Sequence, residues 1–129
     1  MDNVTYLTLE QVLVIHEDQI ERYGGSSGVR DLSLLESAIF RPQTTFSGED
    51  LYKTHFDKAA ALMHSLIMNH AFIDGNKRTG TTAMLVYFKI NSIIIYIDNN
   101  ELVKTVLLIE KEKWGIEGIA EWLKNKSKN

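Results

Sequence analysis

Residues 56–90 read FDKAAALMHSLIMNHAFIDGNKRTGTTAMLVYFKI, two largely apolar runs joined by a short polar stretch. In the first run Phe56, Ala59, Ala60, Met63, Ile67 and His70 share one helical face, and Leu62 and Leu66 make the neighbouring face apolar too. Only a narrow side with Asp57, Ala61, His64, Ser65 and Met68 tolerates water. This spacing predicts a helix at the centre of a bundle, whose inward face, extended through Asn69, delivers the His70 imidazole into the interior. The second run begins around Asn76, continues through Ala83, Met84, Leu85, Val86, Tyr87, Phe88 and Ile90, and stops near Asn91 and Ser92. Two central helices therefore flank residues 70–80, HAFIDGNKRTG.

The chain on either side is helical as well. Thr8 precedes apolar residues at Leu9, Val12, Leu13, Ile20 and Tyr23, and Gly24-Gly25 supplies the stop. His16 lies on that stripe and reads as a partly buried imidazole hydrogen-bonded to a neighbouring loop. The glycine-rich 24–31 segment, GGSSGVRD, lacks the GK[ST] ending and the preceding strand of a phosphate loop, so it reads as a turn. Ser33 and Glu36 have capping-box spacing ahead of Leu34, Leu35, Ala38 and Ile39, and Pro42, the only proline, ends that helix near Arg41. Residues 43–54, QTTFSGEDLYKT, have no helical period, and spacing alone does not separate an exposed flap from an ordinary surface loop. Residues 93–97, IIIYI, read as an extended connector packed on the bundle. Asp98 and Glu101 open a helix to about Lys113, and Ile116, Ile119, Ala120, Trp122 and Leu123 mark a last short one. The expected architecture is a compact all-α bundle of about six helices, one domain over 1–129, with a polar tail at 125–129 that frays.

Composition narrows the function classes. The 129 residues are 44% apolar, enough for a core without staples. There is no cysteine, which removes disulfides, thiolate metal sites and a cysteine nucleophile, and suits a reducing compartment. No apolar stretch approaches the roughly 20 residues that span a bilayer, and no leader pattern opens the chain. A soluble cytoplasmic protein with no membrane partner is expected. A net charge of −3 withholds the attraction on which nonspecific nucleic-acid binders rely.

The polar stretch carries the chemistry. Asn76-Lys77-Arg78 opens a helix, so unpaired N–H groups and the helix dipole favour an anion there. Gly75 lets the backbone come close to a phosphate, Arg78 offers a planar fork of donors, and Lys77 a compact charge. A carboxylate at Asp74 would repel that phosphate unless a magnesium ion stood between them. His70 is suited to accept the proton of an attacking hydroxyl. Phe72, between them, anchors the loop to the core. Taken singly, His70 reads as a helix cap and the Asn-Lys-Arg triplet as a solvated face; their joint spacing between two core helices is not what those readings predict.

The stretch resembles the signature of the Fic/Doc fold family, H-x-F-x-[DE]-G-N-G-R-x-x-R, and looks most like its Doc (death-on-curing) branch, in which lysine follows the asparagine. That lysine is Lys77. The runs GGSSGVRD, LLESAIFRPQ, AAALMHSLIMNH and AEWL are similar to Doc-family toxins too, so the resemblance spans most of residues 5 to 124. It implies His70 as general base, Asp74 as Mg2+ ligand, and Gly75, Asn76, Lys77 and Arg78 as the nucleotide and phosphate seat for ATP. Residues 43–54 would be the family's flap, which aligns a target by strand-like pairing, with Thr44, Thr45, Phe46, Leu51 and Tyr52 as docking residues.

In adenylylating members glycine at the Lys77 position leaves the seat open for the diphosphate, whereas lysine obstructs it. The Doc branch instead transfers the γ-phosphate to a Ser/Thr hydroxyl, and the target of Doc itself is a threonine of elongation factor Tu. Adenylyl transfer on the same scaffold and a catalytically silent partner-binding module are the alternatives. Thr81 replaces the family's second arginine, and Ala71 stands where many members have proline. The inhibitory motif [ST]-x-x-x-E-[GN] is absent, its nearest approach being KWGIEG at 113–118, so the resemblance implies a separate antitoxin.

Overall fold

The computed structural model describes residues 3–127. Six helices supply most of the core among the described residues: α1 (Leu9–Tyr23), α2 (Leu32–Phe40), α3 (His55–Met68), α4 (Asn76–Ile90), α5 (Asn99–Glu112) and α6 (Ile116–Lys126). A 3-10 turn, Arg41–Gln43, follows α2 and leads into a hairpin of two short strands, β1 (Thr45–Phe46) and β2 (Glu49–Asp50). The strands pair antiparallel, Thr45 opposite Asp50 and Phe46 opposite Glu49. The all-α architecture expected from the periodicity is the one observed.

α3 is the hub. It lies against α2, α4, α6 and the 3-10 turn, and α1 packs on α4. Its capping box is complete: the Thr54 hydroxyl accepts from Asp57 N, and the Asp57 carboxylate accepts from Thr54 N. Such caps contribute about 1 kcal/mol each. α1 has the same device at Thr8 and Gln11. α3 and α4 cross so closely at Gly80 that a Cβ there would lie 2.9 Å from Ile67 Cγ1 and 3.2 Å from the Met63 carbonyl oxygen.

Several expectations are corrected. Ala61 and Ser65, placed on a water-tolerant side, are fully buried, because α6 and the 3-10 turn cover that face of α3. Tyr23, placed on the α1 stripe, is 68% exposed. The N-cap of α2 is Asp31, whose side chain accepts from Leu34 N, so the helix starts before the Ser33–Glu36 pair. Asn125 and Lys126 belong to α6 rather than to a frayed tail; residues 128 and 129 lie outside the described residues. Residues 93–97 form the expected extended connector, with Ile94 and Tyr96 outward and the Tyr96 N–H donating to the Lys126 carbonyl. No helix among the described residues is long and apolar enough to cross a membrane.

Candidate active site

α3 stops at Met68 with Asn69 still in the right-handed helical region, and His70 then turns left-handed at φ +50°. That position after a helix usually falls to Gly or Asn. Arg30 supports it: its Nε donates to the His70 carbonyl at 2.7 Å and a terminal nitrogen to the Asn69 carbonyl at 3.2 Å. The turn lifts the His70 side chain off the helical face, so the imidazole is exposed, not delivered into the interior.

The loop beyond is fastened from four directions. Phe72 is buried, and its ring stacks on His16 with centroids 3.8 Å apart and planes 7° from parallel. His16 Nε2 donates to the Asp74 carbonyl at 2.7 Å, so the buried imidazole of α1 holds the loop as expected of it. The Asn76 side chain closes the loop on itself: its oxygen accepts from Phe72 N and its amide donates to the Phe72 carbonyl, both at 3.0 Å. Arg78 donates to the Gln19 carbonyl at 3.2 Å and the Gly24 carbonyl at 2.9 Å. The glycine-rich segment is therefore more than a turn. It pairs Val29 with Phe72, and Gly28 accepts from Ile73 N.

Asp74 is exposed, and its oxygens accept from Ser26 N at 3.1 Å and Gly75 N at 2.8 Å. These two N–H groups, and more weakly the Arg78 and His16 side chains, hold its carboxyl below the usual carboxylate range. The group is a fixed anion. Gly75 follows at φ +76° as the N-cap of α4. Beyond it, the N–H groups of Asn76, Lys77 and Arg78 have no acceptor among the described residues. Three unpaired donors at a helix start, beside an anchored carboxylate and an exposed imidazole, make a seat for an anion with a proton acceptor nearby. No group of three or more His, Cys, Asp or Glu gathers among the described residues. A single carboxylate suits a hard cation only when phosphate oxygens and water complete its shell.

Lys77 is paired across to α5. Its ammonium lies 2.8 Å from Glu110 of α5, and this contact is the main reason that the Glu110 carboxyl sits low. Glu110 gave no signal in sequence, because nothing in its spacing joins it to residue 77. In the hairpin Thr45, Phe46 and Leu51 are exposed, whereas Thr44 and Tyr52 are half-buried at its base. The Thr44 hydroxyl donates to the Arg41 carbonyl, and Arg41 Nε donates to the Tyr52 hydroxyl.

An all-α bundle whose two central helices present a histidine and an anion seat through one loop defines the class. The chain belongs to the Fic/DOC family, whose model matches residues 6–107. It is 47% identical over 76 residues to Toxin Doc of Mycolicibacterium smegmatis, a match covering 59% of this chain and 58% of that protein. It is 25% identical over 119 residues to Protein kinase doc of Escherichia phage P1, covering 92% and 93%.

Proposed function

We propose that the protein is a Doc-like toxin that transfers the γ-phosphate of ATP to a Ser or Thr hydroxyl of a target protein, a translation elongation factor. The observation that carries this reading is the exposed His70 at one end of the loop whose other end opens on the three unpaired N–H groups of α4. His70 takes the proton of the hydroxyl; the hydroxyl oxygen bonds to the γ-phosphorus, and the bond from that phosphorus to the β,γ-bridging oxygen breaks, leaving phosphoprotein and ADP. The N–H groups of Asn76, Lys77 and Arg78 receive phosphate oxygens. Asn76 and Arg78 side chains act by holding the loop that presents these groups. Asp74 would hold Mg2+, which would neutralise phosphate charge.

ATP labelled separately at the γ- and α-phosphates tests the reading with elongation factor Tu as acceptor. Label retained only from the α position would sink the kinase reading in favour of adenylyl transfer. One observation bears on that second reading: the Lys77 ammonium is paired with Glu110 rather than free to lie across the seat. Asp74→Ala is expected to lower transfer sharply, with poor rescue by excess Mg2+. Unaltered turnover would remove Asp74 from the site.

The antitoxin partner has a surface available. Between α1, α4 and α5 runs a groove of about 470 Å3 with Tyr23, Leu85, Val103 and Leu107 on its apolar side and Lys77 and Arg78 at its edge. Its chemistry fits the apolar face of an amphipathic helix. Leu107→Glu, at a half-exposed position, is expected to weaken antitoxin binding at least tenfold while leaving phosphotransfer intact. Binding measured by titration calorimetry, unchanged in this variant, would move the antitoxin elsewhere.

A further inference from the structure

A hairpin with two residues per strand does not hold itself in water, and most of this one is exposed. Its anchor lies in α3. Lys58 is fully buried, and its ammonium donates to Asp50 of β2 at 3.0 Å and to the Tyr52 carbonyl, with the Tyr6 ring 5.9 Å away. Both hydrogen-bond partners belong to the hairpin. A second tie runs through Arg41, which donates to the Tyr52 hydroxyl at 3.0 Å and to Ser65 Oγ of α3 at 3.2 Å.

A methionine would fill the space of Lys58 without the desolvation that a buried ammonium suffers. A buried charge kept under these conditions points to geometry rather than stability. The geometry here has a direction. α3 carries the hairpin ties at Lys58 and Ser65, and its C-terminal end leads directly into His70, so one rigid helix spans the distance from flap to imidazole. We infer that Lys58 is the positioning residue that fixes the flap relative to His70, and so selects which hydroxyl of an extended target segment reaches the imidazole.

This rests on the transfer reaction proposed above. The hydrogen bonds of the ammonium run to the flap alone: among the described residues none reaches the 70–78 loop or the anion seat. Its loss therefore changes how a protein target is presented, not how nucleotide is bound or the proton is taken. Asp50 reports the same contact from the other side, since the Lys58 ammonium holds its carboxyl below the usual range.

The test uses Lys58→Met in the full chain. Amide hydrogen exchange across residues 44–52 is expected to speed up at least tenfold, with affinity for a non-hydrolysable ATP analogue within twofold of wild type. With elongation factor Tu as acceptor, KM is expected to rise at least tenfold with kcat within threefold, and peptide mapping is expected to find phosphate on neighbouring hydroxyls. Asp50→Ala breaks the same tie from the exposed side and is expected to give the same pattern, which covers the case of Lys58→Met failing to fold. Unchanged exchange in the variants, or a fall in kcat at constant KM, overturns the assignment. Should the wild type transfer no phosphate, the transfer reading fails by itself, and exchange across 44–52 still decides whether Lys58 holds the flap.

Discussion

Replacing His70 with alanine is expected to abolish growth arrest on expression and to lower phosphotransfer by about 10²- to 10⁴-fold, the range spanned by a lost general base. The fold is expected to survive. His70 is exposed and its ring makes no hydrogen bond among the described residues, so truncation leaves no hydrogen-bond partner orphaned. One complication is the backbone, which is left-handed at φ +50°. His70→Asn separates the two effects, since asparagine adopts that conformation readily yet cannot take the proton under these conditions. If the imidazole is what matters, both variants lose transfer equally while melting near the wild-type temperature. Toxicity retained by both would mean that the loop only binds a partner, and the catalytic reading would go.

Much of the architecture was legible because helices announce themselves locally. Thr8 and Asp98 sit ahead of apolar spacing near 3.6, and each proved to be an N-cap, whereas Thr54, read as the end of the 43–54 segment, caps α3. The errors share one cause: contacts between elements distant in sequence leave no periodic trace. Ser65 looks like a surface residue until Arg41 and α6 cover it, and Lys58 looks like a solvated lysine until the hairpin folds over it. His70 was misplaced for a different reason. Its spacing continues the inward face of α3, but the helix ends two residues earlier, and the left-handed turn changes the direction in which the side chain leaves.

The site was legible in its residue types and less so in their division of labour. Asn76 and Arg78 have the chemistry of phosphate binders, yet their side chains are engaged with Phe72, Gln19 and Gly24 carbonyls. The unpaired donors are the backbone groups of the helix start, which the Gly75-Asn76 boundary in the sequence already placed there. Arg30 and His16 serve the loop from 40 and 58 positions away in the chain, pairings that only the fold creates.

The glycine-rich segment supplies the second large effect. Gly25→Ala is expected to cost as much activity as removing the Asp74 carboxylate, although Gly25 has no side chain to contribute. A Cβ at residue 25 would lie 2.6 Å from Asp74 Oδ2 and 3.2 Å from the nearest Arg78 nitrogen. Neither neighbour can yield freely: Asp74 is fastened by Ser26 N and Gly75 N, and Arg78 by two carbonyls. The carboxylate must leave its place or the segment must lift away, carrying off the N–H of Ser26. Gly24→Ala is the control. Gly24 also has positive φ, +84°, so alanine there carries a strain of about 1–3 kcal/mol. Its Cβ would meet nothing within 4 Å, so transfer is expected to persist in whatever fraction stays folded. In an Asp74→Ala background the Gly25→Ala change has no carboxylate left to displace, and its further effect on transfer is expected to shrink to a small residue. Full additivity of the two substitutions would mean that Gly25 acts through Arg78 or the backbone instead.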